Sequence, residues 1–170
     1  MATTIPDINN YPIDDDAKLV MNMMQRVLDT VVGVYEQMGV PLPARQFWTT
    51  GGAVEDCEQV TVNLIQAYLG NPGDQATQPQ RCNVARSAVL NIAVTRNFPI
   101  GENGKAVSPD RIMQGSAWAM IDVQVLLEAL RSFDQWSDGG PGLGVIATVS
   151  PADPSGGVQT VNMNLTMAIG

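Results

Sequence analysis

No histidine occurs in the 170 residues. The commonest general base is therefore missing, and with it the Ser-His-Asp triad and every His-containing zinc site. Cysteine is nearly absent. Cys57 and Cys82 stand alone, which excludes a Cys-rich metal centre; if they sit on the two strands of one hairpin, the start of one strand faces the end of the other, and separate thiols are expected. Basic residues are scarce, nine Lys and Arg against 17 Asp and Glu, for a net charge of −8. A nucleic-acid-binding surface needs clustered positive charge, so the balance argues against that class. A surface that must avoid sticking to nucleic acid is not excluded, because acidic groups repel phosphate. No apolar run approaches the ~20 residues of a membrane helix, and Met1 to Asp7 lack the basic start and apolar stretch of a signal peptide. No membrane partner is expected, and the expected compartment is the cytosol or a particle assembled there.

Hydrophobic residues make up 45% of the chain and charged ones 15%, enough apolar content to build one domain with a real core. Residues 1–12 are polar, carry Pro6 and Pro12, and read as an extended N-terminal arm. Residues 13–170 read as a single domain. Asp14, Asp15 and Asp16 suit the positive end of a helix dipole. Val20, Met24, Val27, Leu28, Val31, Tyr35 and Met38 follow at steps of three and four, the apolar face of a helix that stops at Gly39. Arg45 to Thr50 suggests a short strand, broken by Gly51-Gly52. Val60, Val62 and Leu64 alternate with Thr61 and Asn63. Ala88, Leu90, Ile92, Val94 and Arg96 alternate with Val89, Asn91, Ala93 and Thr95. Two such strands joined by one loop predict an antiparallel hairpin.

Ser108-Pro109-Asp110 is a strong helix start, with a capping Ser, Pro at the first helical position and then an acid. Ile112, Ala119, Val123, Leu126, Leu127, Leu130 and Phe133 predict its apolar face, and Asp138 to Gly142 its end. Val145, Ala147 and Val149 open a last hairpin turning at Pro151 to Gly157. Val161, Met163, Leu165, Met167 and Ile169 line one face of its second strand; Asn162, Asn164 and Thr166 line the other. The predicted class is α+β: a mixed, mainly antiparallel sheet of four to five strands packed against two long helices, in the order α-β-β-α-β-β.

Little chemistry is visible. Gly101 to Lys105 has the wrong spacing for a phosphate loop, and Ala106 stands where Mg²⁺ would need Ser or Thr. Asp56 and Glu58 are two apart at the start of a strand and point to one side, an arrangement open to a divalent metal or an acid/base pair. No third ligand or catalytic Lys lies nearby, and a solvated strand end or a contact for a neighbouring subunit is the preferred reading. Trp48, Trp118 and Trp136 read as core or interface anchors rather than platforms for bases. The polar connection 70–83 is longer than a hairpin needs, and its Asp74, Gln75, Gln78, Gln80 and Arg81 are candidates for an assembly contact.

The stretch from Trp48 through Gly51 to Asp56-Cys57-Glu58-Gln59 resembles the tail terminator proteins of long-tailed phages that infect actinobacteria. The resemblance extends over nearly the whole chain: an opening helix, two long strands around a polar loop, the Ser108-Pro109-Asp110 helix and a final hairpin with a Gly-rich turn follow in that family's order. It implies a non-enzymatic virion protein without cofactors. Six copies would form a ring on the head-proximal end of the tail tube, touching the major tail protein on one side and a head-side connector or stopper protein on the other. DNA would pass through the hole without specific binding. Trp48, Asp56, Cys57, Glu58 and Gln59 are then expected near the boundary between subunits. Two other readings stay open: another connector or head-completion ring, and a metal-dependent enzyme built on Asp56 and Glu58.

Overall fold

The computed structural model describes residues 15–52, 57–73, 86–101, 106–133 and 145–169, with side chains from residue 17 onward. The arm at 1–12, the turn at 102–105 and the run 138–142 lie outside the described residues.

Helix α1 spans Asp15–Met38. Met24, Val27, Leu28, Val31, Val34 and Tyr35 are its buried face, in agreement with the predicted spacing. Its end has a local cause. Gly39 takes a φ of 64°, a conformation glycine adopts at no steric cost, and the Gly39 and Val40 amides donate back to the Glu36 and Tyr35 carbonyls at 3.1 and 3.0 Å. This pair of bonds satisfies carbonyls the last turn would otherwise leave open.

Strands β1 (Arg45–Thr50), β2 (Gln59–Leu69) and β3 (Arg86–Asn97) follow, then helix α2 (Pro109–Phe133), then β4 (Ile146–Pro151) and β5 (Val158–Ile169). The five strands form one mixed sheet in the order β1-β2-β3-β5-β4. β1 is parallel to β2, and every other pair is antiparallel. The fold is thus α+β with a five-stranded mixed sheet and two helices. The order differs from the expected one by β1, which joins the sheet ahead of the β2–β3 hairpin. Arg45 to Thr50 shows no clean alternation because an edge strand meets only one neighbour, so its sequence is less constrained.

Alternation decides the two faces. Val60, Val62, Leu90, Ile92, Val94, Val161, Met163, Leu165 and Met167 form the core with the helices. The opposite face carries Thr61, Asn63, Asn91, Thr95, Thr160, Asn162 and Asn164, which the pairing register places side by side. Ser108 starts α2 as predicted: its carbonyl accepts the Arg111 and Ile112 amides at 3.1 and 3.2 Å. Gly115 admits close packing by the chain leaving β3, since a Cβ there would lie 2.6 Å from Phe98 Cε2.

One expectation for α2 needs correction. Ala119, Leu126 and Phe133 are buried, but Ile112 and Leu127 are 42% and 45% exposed, and Asp122, Val125 and Ala129 take the buried places. The true inner stripe runs 119, 122, 126, 129, 133. It was obscured because one of its members is an acid.

Candidate functional site

The residues named from sequence do not converge on one point. Trp48 pairs with Val62 across β1 and β2, so its side chain lies on the helix side of the sheet, half-buried against the core. Its Nε1 donates to Gln25 Oε1 of α1 at 3.0 Å, and Gln25 Nε2 donates to Asp29 Oδ1 at 2.8 Å. Gln59 starts β2 on the opposite face and is fully buried. Cys57 and Glu58 are half-buried just ahead of it. Cys57 Sγ lies 2.7 Å from Arg45 Nη1, and that guanidinium stands 5.5 Å from the Phe47 ring centroid. Glu58 Oε1 accepts the Asn97 amide at 3.4 Å. Asp56 lies outside the described residues, as do Asp74, Gln75, Gln78, Gln80, Arg81 and Cys82. Among the described residues no cluster of three potential metal ligands forms, and no described helix is long and apolar enough to cross a membrane.

Sequence reasoning missed the densest polar cluster. Asp122 of α2 is 1% exposed. Arg96, near the end of β3, grips it through Nε at 2.7 Å to Oδ2 and Nη2 at 2.9 Å to Oδ1. Tyr35 of α1 donates its hydroxyl to Asp122 Oδ1 at 2.6 Å. Arg96 Nη2 also donates to the Pro41 carbonyl at 2.8 Å, and the guanidinium stacks 5.0 Å from the Trp118 ring centroid. One ion pair therefore joins both helices, the central sheet and the turn after α1. Every acceptor position of the carboxylate facing these groups is used, the condition under which a buried pair is tolerated. Two signals marked it in the sequence: Arg96 ends an apolar alternation, and Asp122 falls three residues after Ala119 and four before Leu126.

The electrostatics are one-sided. Burial, then the Asp122 charge and hydrogen bond, push the Tyr35 phenol well above its ordinary range, and Arg96 offsets this only in part. Burial alone would lower the Arg96 guanidinium; hydrogen bonding and charge from Asp122 outweigh it and hold Arg96 up. The phenol thus stays protonated in the folded chain while an unfolded one ionises around the ordinary tyrosine value of 10.0. Stability carried by Tyr35 is complete below that pH and falls as pH rises beyond it, by about 1.4 kcal/mol per pH unit. Urea unfolding between pH 9 and 11 checks this: Tyr35→Phe flattens the alkaline decline by about one proton's worth.

The sheet face away from the helices holds a second network. Asn63 Nδ2 donates to Thr61 Oγ1 and Asn91 Oδ1, both at 3.2 Å. Asn91 Nδ2 reaches Asn162 Oδ1 at 3.2 Å and Asn164 Oδ1 at 3.1 Å. Thr95 and Thr160 share a hydroxyl bond of 3.0 Å. No charged side chain stands on this face in β2, β3, β4 or β5. The start of the long β2–β3 connection also touches β4: a Cβ built on Gly73 would lie 2.8 Å from Ile146 Cδ1.

Such an arrangement can hold a shape and present edges and faces. Neither network leaves a nucleophile beside a base, nor a set of carboxylates open to a cation. No protein family and no curated protein matches the chain.

Proposed function

We propose that this chain is a structural ring protein of a long-tailed phage, one that ends the tail tube and joins it to the head-side connector. The carrying observation is a single five-stranded sheet that ends on each side in a six-residue strand, β1 and β4, with no described strand beyond either. Open strand edges are hazards for a monomer and assets for a subunit that must pair with its neighbours. The sequence resemblance around Trp48 to Gln59 supports the same reading. So does the composition, since few basic groups and many acids let DNA pass without sticking. On this reading the chain has no catalytic role, six copies close the ring, and its two ring faces differ, so that it caps a tube without stacking on itself.

The test is capping. Purified protein added to growing tubes of the major tail protein stops elongation and is found in the ring at the tube's end by electron microscopy of tails. A reconstruction that places it in another ring favours a connector, and one that places it outside rings defeats the proposal. The long connection gives a second measurement. Shortening the 70–83 connection to a tight turn leaves a folded subunit that loses most of its capping. Normal capping by that variant makes the connection a mere spacer.

A further inference from the structure

We propose that copies of this chain join head to tail by pairing β4 of one with β1 of the next, as an antiparallel extension of the sheet with Val149 opposite Trp48. This deepens the ring reading and rests on it.

Strand direction is the first support. β1, β2 and β5 run one way, and β3 and β4 run the other. If a neighbour is related by rotation about a ring axis, its sheet continues in the same sense, and its β1 arrives antiparallel to β4. Antiparallel pairing is the more stable pattern per residue.

The backbone groups agree. In an antiparallel pair alternate residues bond to the partner strand, and the residues between point away. The Ala152 amide donates to the Thr160 carbonyl at 2.8 Å, so Ser150, Thr148 and Ile146 also turn their backbone groups to β5. Ala147, Val149 and Pro151 turn theirs outward. On the other edge the Gly51 amide donates to the Leu64 carbonyl at 2.9 Å, so Thr49, Phe47 and Arg45 face β2. Gln46, Trp48 and Thr50 therefore point out. Both outward sets have their side chains on the helix side: Val149 pairs with Met163 and Trp48 with Val62, and both partners are core residues. Had the two edges differed in this parity, the joined sheet would have turned its helices to opposite sides.

Length and chemistry complete the match. Each edge strand has six residues. Two registers of five facing pairs keep this parity, and the one that sets the apolar Val149 against Trp48 places Ala147 opposite Thr50 and Pro151 opposite Gln46. Soluble proteins guard open edges with charge, interior Pro or bulges. β4 carries no charged residue, and β1 has only Arg45 at its start. Pro151 does sit at an outward position, where its missing N–H leaves the β5 ladder intact, yet Ala147 and Val149 remain unguarded donors. The occupant is a second copy because each edge supplies what the other lacks in direction, while two-fold pairing of β4 with β4 would close a dimer and leave β1 open.

The register predicts Thr148 of one copy directly opposite Thr49 of the next, in a non-hydrogen-bonded pair with side chains close together. The experiment uses the full chain with Cys57→Ser and Cys82→Ser, adds Thr49→Cys and Thr148→Cys, and oxidises at the highest soluble concentration. The double variant forms a ladder of covalent oligomers ending in one closed species. Each single variant stays monomeric, and an equal mixture of the two gives a dimer and nothing longer. Ala147→Pro removes an outward donor without touching the β4–β5 ladder; it abolishes the cross-links while thermal unfolding stays cooperative. Dimers from Thr148→Cys alone would establish two-fold pairing and overturn the proposal, and so would the absence of cross-links in the double variant. Tube capping separates the two ideas. Cross-linked rings that do not cap leave the edge pairing and defeat the terminator reading. Capping by Ala147→Pro does the reverse.

Discussion

Asp122→Ala lowers the free energy of unfolding by about 3–5 kcal/mol, the usual cost of stripping one partner from a buried ion pair. The loss is large because the remaining partner cannot relax into water. The Arg96 side chain is 11% exposed and that of Asp122 2%. With the carboxylate gone, the guanidinium keeps the Pro41 carbonyl and the Trp118 and Tyr35 rings but no anion, and the Tyr35 hydroxyl loses its acceptor. Urea titration shows the effect as a lower midpoint with an unchanged slope. The double variant Arg96→Met, Asp122→Leu recovers most of the loss, since a buried pair gives little net stability over apolar residues of similar size. A cost below about 1 kcal/mol for Asp122→Ala would mean the pair is solvated and worth no more than a surface bridge.

Leu126→Ala costs about 2–5 kcal/mol, whereas Leu127→Ala stays within about 0.5 kcal/mol. The two leucines are neighbours, and both look like core by composition. Leu126 is 0% exposed and packs in the main cluster. Leu127 is 45% exposed, on the same outer side of α2 as Met113 and Met120, each 62% exposed. At about 100° per residue this side lies across the helix from Asp122 and Leu126. Thermal or urea unfolding of the two variants in parallel settles the rotation of α2. Equal losses would place the apolar stripe where the sequence pattern alone puts it.

Local pattern was enough for most elements. The steps of three and four from Val20 to Met38 predict α1 and its buried side, because a helix repeats its faces at that interval whatever it packs against. Gly39 and Ser108 mark a helix end and a helix start by backbone geometry alone. The alternations at 60–64, 88–96 and 161–169 predict β2, β3 and β5 and their two faces, since successive strand residues point opposite ways. The absence of histidine by itself excludes a Ser-His-Asp triad and any His-containing zinc site.

Other features depend on partners far along the chain, and a local pattern marks such a residue without naming its partner. Asp122 becomes the centre of a cluster only when Tyr35, 87 residues away, and Arg96, 26 residues away, reach it; by itself it is an acid interrupting an apolar stripe. Of the residues chosen by resemblance, Trp48 and Gln59 end on opposite faces of one sheet, because β1 and β2 pair in a register that only the folded sheet defines. Which strands end at the edges, and which backbone groups there point outward, likewise follows from strand order. The sequence determines how each segment buries its own side chains, for that depends on periodicity. Tertiary structure decides which buried charge finds a partner and which edge stays open, for those depend on contacts between segments that the chain brings together only on folding.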